Sequence, residues 1–243
     1  MRRNNHVYTL AIIGLMIALM ALFAFTPLGS VFQAAGFSIT LMGIPLAIMA
    51  SLFGPWMGAL GGFIWGTFAI IEAYTGMDAI GTLLLNATDL SASIKYGGLF
   101  LMCYSRILVG FLSGLINDAL RRIDQKGYYS SYVTALSVGV FNTVFFMALF
   151  CLFFYRSALV QNLCSQYGFN PNNAFLFSLG FVGIINIPVE WTSDLLIGGA
   201  SAFGIEVASR KLHLSSPFPR FFAKKEKKTE ENDSDQKQEH FIR

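Results

Sequence analysis

Long apolar runs separated by short polar breaks dominate the chain from residue 7 to residue 209. A bilayer crossing takes about 20 mainly apolar residues, each rising 1.5 Å along a helix. Six stretches are read as crossings. The first covers 7–26 and ends at Thr26-Pro27-Leu28-Gly29. The second, 38–53, is short and is broken by Gly54-Pro55, because proline is disfavoured inside a helix but suits its first turn. The others cover 56–74, 96–120, 131–155 and 175–209. A mixed loop over 75–95 carries Asp78, Asn86, Asp89 and Lys95, and a polar loop over 157–174 carries Asn170-Pro171-Asn172-Asn173. The pattern predicts an all-α, polytopic membrane protein: a six-helix bundle over 1–211 and a polar tail over 212–243. The tail ends in mixed charge from Lys224 to Glu239 and has too little apolar surface to fold alone, which predicts disorder.

Composition supports this reading. Hydrophobic residues make up 54% and charged residues 13% of 243 positions. Soluble domains average about 25% charged, so lipid-facing helices account for the excess of apolar sequence better than one buried core does. Arg2-Arg3 before an apolar run resembles a signal peptide, but no small-x-small cleavage site follows, and the run is read as the first span. Lysine and arginine placement sets the orientation. With the N-terminus inside, the cytoplasmic segments hold Arg2, Arg3, Arg121, Arg122, Lys126, Arg210, Lys211 and the tail. The outer loops hold Lys95 and Arg156. Six spans return the C-terminus to the same side, so both termini are expected in the cytoplasm.

Against this apolar background the polar residues within spans stand out. Arg106 lies about 15 Å along the fourth span, near the bilayer midplane. A charge at that depth is expensive, so it faces a partner or a ligand. A guanidinium recognises carboxylate or phosphate with two parallel hydrogen bonds. Arg106 is therefore either the anchor of a ligand carboxylate or half of an internal ion pair with Glu190 or Glu72. In the sixth span Asn186, Glu190 and Asp194 recur at i, i+4 and i+8, on one helix face. Pro188 permits a kink there and frees a carbonyl. The stripe reads as a cavity wall or as a hydrogen-bonded seam between helices. Asn142 in the fifth span can hold a substrate or clasp a helix. Glu72 can line a cavity mouth or sit in interfacial water.

Small residues form two strips. Gly58, Gly61, Gly62 and Gly66 read as internal packing of the third span. Gly14, Ala18 and Ala21 lie on one face of the first span, which either packs internally or faces a partner protein. Cys103, Cys151 and Cys164 show no metal or redox spacing. No Walker-type phosphate loop is present, so the chain is not expected to hydrolyse ATP. No Ser/His/Asp, Cys/His or HExxH set supports an enzyme, and no cofactor is expected.

Four segments then suggest a family. They are "SITLMGIPLAIMASLFGPWMGALGGFIWGTFAI" (38–70), "YSRILVGFLSGLINDALRR" (104–122), "GVFNTVFF" (139–146) and the element from Asn186 to Glu190. Over 7–210 the chain resembles the substrate-binding S components of bacterial energy-coupling factor (ECF) vitamin transporters. The resemblance implies a six-helix bundle in the plasma membrane that binds a vitamin near the outer face. It implies docking on a transmembrane coupling protein with two cytoplasmic ATPases, and toppling in the membrane to release ligand inward. The family docks through alanine-xxx-alanine on the first helix; here Gly14 stands in place of one alanine, with Ala18 and Ala21 beyond it. Its ligand sites draw on the first outer loop, here about 28–38, and on the outer halves of spans four to six. That region takes in Arg106, Asn142, Asn186 and Glu190, with Glu72 at the mouth. The blocks look most like pantothenate members, whose ligand offers a carboxylate to Arg106 and hydroxyls and an amide to Asn142 and Asn186. Riboflavin, folate, biotin and lipoate remain alternatives within the family. An integral-membrane enzyme or a structural envelope protein is the rival outside it. The implied partners are a vitamin, the coupling module and the lipid bilayer, with no nucleic acid.

Overall fold

In a computed structural model, the described residues are 2–26, 32–34, 37–39, 41–124, 126–154, 157–166, 168–170, 173, 176, 180 and 182–212. The chain begins with α1 (Arg2–Phe25), followed by a hairpin of β1 (Phe32–Ala34) and β2 (Phe37–Ile39). Their register pairs Phe32 with Ile39 and Ala34 with Phe37. Helices α2 (Gly43–Phe53), α3 (Pro55–Thr75), α4 (Ala79–Asn86), α5 (Ala92–Leu120), α6 (Tyr128–Phe154) and α7 (Ala158–Gln166) follow. The segment expected as the last crossing is wound as π-helix over Val182–Trp191 and Asp194–Gly198, then as α8 (Gly199–Lys211).

Four helices are long and apolar enough to cross a bilayer: His6–Phe25, Pro55–Thr75, Ala92–Leu120 and Tyr128–Phe154. Leu10, Leu15, Leu108 and Leu152 stand exposed on them, as lipid-facing side chains must. The expected second span is different. Its first residues belong to β2, and only 11 residues form α2, all buried. At about 16 Å this helix by itself covers about half of a hydrocarbon core of about 30 Å. It is the centre of the bundle, packed by α1, α3, α5, α6 and the last crossing. The apolar count over 38–53 reflected enclosure by protein, not by lipid. The two expected loops are also corrected in part: 75–95 contains α4 and 157–174 contains α7.

Local chemistry explains the breaks. Gly54 takes φ 82°, a left-handed conformation open to glycine, and Pro55 starts α3. Gly76, at φ 83°, ends α3 with its N–H on the Glu72 carbonyl. Asp78 caps α4, its Oδ2 accepting from the Gly81 N–H at 2.9 Å. Asp124 opens α6 by accepting from the N–H groups of Tyr129 (2.6 Å) and Ser130 (2.9 Å). Desolvation pushes that carboxyl up, but these N–H groups outweigh it and hold it below the usual range.

The α3 glycines do pack internally. A side chain at Gly58 would strike the Gly110 carbonyl, one at Gly62 the Arg106 carbonyl, and one at Gly66 the Cys103 carbonyl. The spacing i, i+4, i+8 thus brings the α3 and α5 backbones nearly into contact. At the end of the bundle where α5 stops, Arg121 pairs with Glu206 through both terminal guanidinium nitrogens, and Arg210 Nη2 joins Glu206 Oε1 at 2.6 Å.

Candidate functional site

The close α3–α5 crossing decides where Arg106 goes. With Gly62 against its own carbonyl, its side chain lies over Trp65 of α3. The guanidinium carbon is 4.8 Å from the ring centroid, within cation–π range. Trp65 is fully buried and Arg106 is 7% exposed. Arg106 Nε and Trp65 Nε1 are both buried donors without an acceptor among the described residues. Such orphans are rare in folded proteins and call for an explanation.

Among the described residues Arg106 forms no ion pair. Its charge nonetheless acts on three acids, Glu72, Asp78 and Glu190. Glu72 is half-buried near the end of α3. Burial pushes the Asp78 carboxyl up, against the Gly81 N–H and the Arg106 charge, which lower it. Glu190 is buried on the π-helical crossing, where Asn142 Nδ2 of α6 donates to its Oε1 at 2.5 Å. One residue on, Trp191 Nε1 donates to Thr143 Oγ1 at 3.0 Å. Asn142 and Glu190 therefore join α6 to the last crossing, with Arg106 close enough to act on the carboxylate.

The π-helical winding carries this arrangement. Pro188 lies inside it and removes one N–H donor. π-Helical winding is rare and is often found at functional sites. The expected stripe of Asn186, Glu190 and Asp194 assumed α-helical spacing. In the wider winding Glu190 and Asp194 both still face α6. Asn186 lies on the π-helical backbone; its side chain is outside the described residues, as are parts of the expected outer loop 28–38 and nearly all of the tail. Asp194 is fully buried and neither carboxylate oxygen has a hydrogen-bond partner among the described residues. Gly43 of α2 and Gly139 of α6 make room for it; a side chain at either would run into the carboxylate.

Two features escaped the sequence reading. Trp65 was not singled out, although an aromatic residue between Gly62 and Gly66 was a usable signal. Arg121 was counted as a cytoplasmic loop charge, whereas it is 8% exposed and paired with Glu206. No one-dimensional signal links residues 85 positions apart.

On α1, Gly14 and Ala18 are exposed and Ala21 is half-buried, while Ile13, Met16 and Met20 point into the core. A side chain added at Gly14 would meet nothing within 4 Å.

A family model described as ECF transporter, substrate-specific component, matches residues 8–197, from α1 into the π-helical crossing. No curated protein matches the chain. A match over that length, on a bundle with four bilayer-length apolar helices, makes this multi-pass membrane protein a member of the family of substrate-specific components of ECF transporters.

Proposed function

We propose that this transporter subunit binds a vitamin bearing a carboxylate, pantothenate first among the candidates. The observation carrying this reading is the pair of orphan donors, Arg106 Nε and Trp65 Nε1, at 4.8 Å between guanidinium and ring. A ligand carboxylate would give both an acceptor and give the guanidinium a counter-ion, in the geometry arginine suits best. Asn142, Asn186 and Glu190 would serve the ligand's hydroxyls and amide, and Glu72 the entrance. Lysine and arginine placement supports six crossings with both termini in the cytoplasm. ATP hydrolysis would come from a coupling module of one membrane protein and two ATPases, because this sequence has no phosphate loop of its own.

A melting-point screen of the detergent-solubilised protein tests the ligand class. Pantothenate at 100 times its dissociation constant should add about 2.7 kcal/mol to stability. Biotin and lipoate test other carboxylates, and riboflavin, a flat ring without one, tests the opposite chemistry. A shift with riboflavin alone would remove the carboxylate reading, and no shift with any vitamin would remove the site.

The open strip on α1 is proposed as the docking face for the coupling protein. Gly14 and Ala18 leave it flat enough for close helix contact in lipid. Ala18→Trp should leave ligand binding intact and block uptake by cells that express the coupling module. Normal uptake in that variant would place docking elsewhere.

A further inference from the structure

Three acids lie within electrostatic reach of Arg106, and of these Glu190 is buried beside a second buried acid, Asp194. Glu72 on α3, Asp78 between α3 and α4, and Glu190 on the π-helical crossing all feel Arg106. Asp194 stands beside Glu190, and Glu190 is the charged group that acts on it. The helices packed against Asp194, α2 and α6, meet it with Gly43 and Gly139. On α6 the Tyr132 ring packs on Gly199. On α5 the titratable neighbours of Arg106 are Cys103, which hydrogen-bonds to it, and Tyr104, which lies 3.5 Å from the Thr67 hydroxyl. Positive charge is therefore scarce here. Two carboxylates close together in a lipid-embedded interior are costly unless a cation or a proton offsets them.

We propose that the protein captures its anionic ligand together with one proton, taken from bulk water onto the Glu190 carboxylate; the inference rests on the reading that a ligand carboxylate docks on Arg106. When that carboxylate pairs with the guanidinium, Glu190 loses the charge that supported it and keeps the amide of Asn142, with Asp194 alongside. Protonation then restores neutrality: ligand carboxylate, Arg106 guanidinium, Glu190 carboxylate and one H⁺ become a carboxylate–guanidinium pair and a neutral Glu190 carboxyl. No bond to the ligand is made or broken. The sign follows from linkage. The complex holds one more proton than the free protein, so affinity falls as pH rises, by about tenfold per pH unit once free Glu190 is ionised.

Calorimetric titration of the detergent-purified full chain with pantothenate tests this, run in phosphate and in Tris, whose ionisation enthalpies differ. The binding enthalpies should differ by the heat of about one buffer proton, and the dissociation constant should rise with pH. Glu190→Gln should lose both dependences whatever its absolute affinity, a change that a purely structural role would not produce. Equal enthalpies in the two buffers with a pH-independent affinity would overturn the proposal while leaving the carboxylate site standing. No heat with pantothenate, biotin or lipoate, or unchanged affinity in Arg106→Ala, would remove the anionic site and this inference with it.

Discussion

Arg106→Ala is expected to weaken binding of a carboxylate vitamin by about 2–5 kcal/mol, which is about thirtyfold or more. The magnitude follows from burial. The guanidinium is 7% exposed and rests on a fully buried tryptophan, so a ligand carboxylate brought there without it would lie in a low-dielectric interior with no counter-charge. Arg106→Lys should retain part of the affinity, because an ammonium keeps the charge but cannot present two parallel donors or stack as a plane on Trp65. The ligand-free protein should be affected far less than the complex. Arg106 has no ion pair among the described residues, so its removal breaks no direct bond to a carboxylate. Titration calorimetry and a melting curve of each variant separate the two effects. Undiminished affinity in the alanine variant would reassign Arg106 to packing over Trp65.

The opposite balance is expected at Arg121. Its guanidinium pairs with both oxygens of Glu206, and the side chains are 6% and 10% exposed. Arg121 Nε also reaches Asn117 Oδ1 at 3.4 Å, and Asn117 Nδ2 donates to the Ser51 carbonyl at 2.8 Å. The network thus ties α5 to both α2 and α8. Removing one member leaves a buried charge with half its support, so Arg121→Met is expected to destabilise the protein by about 3–5 kcal/mol. Over a chain of this size that lowers the melting temperature by roughly 6–20 °C. Arg121→Met combined with Glu206→Leu should recover most of the loss, because two apolar side chains escape the dehydration penalty of the pair. Ligand affinity measured below the melting transition should stay near that of the parent protein, since the pair is remote from Arg106. A single variant melting within a degree or two of the parent would show that Arg210 alone supports Glu206.

What could be read from the chain depended on how far apart the interacting residues lie. The breaks at Gly54-Pro55 and after Thr75 were legible because glycine and proline act through their own backbone. The α3 glycine strip was legible because i, i+4 periodicity is a property of one helix. Arg106 was legible as a charge surrounded by apolar residues, but its choice between acid and ligand was not, since that choice depends on which residues of α3 and the last crossing come alongside. Its nearest large neighbour proved to be Trp65, placed there by the approach of Gly62 to the Arg106 carbonyl. The enclosure of the second span by its neighbours was not legible, because hydropathy measures exclusion from water and cannot distinguish lipid from protein as the excluding medium.

Composition and periodicity by themselves determined that this is a helical membrane protein with polar groups held inside its spans, and the segment patterns pointed to its family. The first follows from local rules, the length of a helix that spans a bilayer and the cost of a charge within it, and the second from the resemblance of segments. Only the tertiary structure decided that α2 is an enclosed core helix, that Asn142 rather than Arg106 bonds Glu190, and that Arg121 closes on Glu206. Those outcomes depend on contacts between residues dozens of positions apart, where packing geometry chooses among partners that the linear order leaves equivalent.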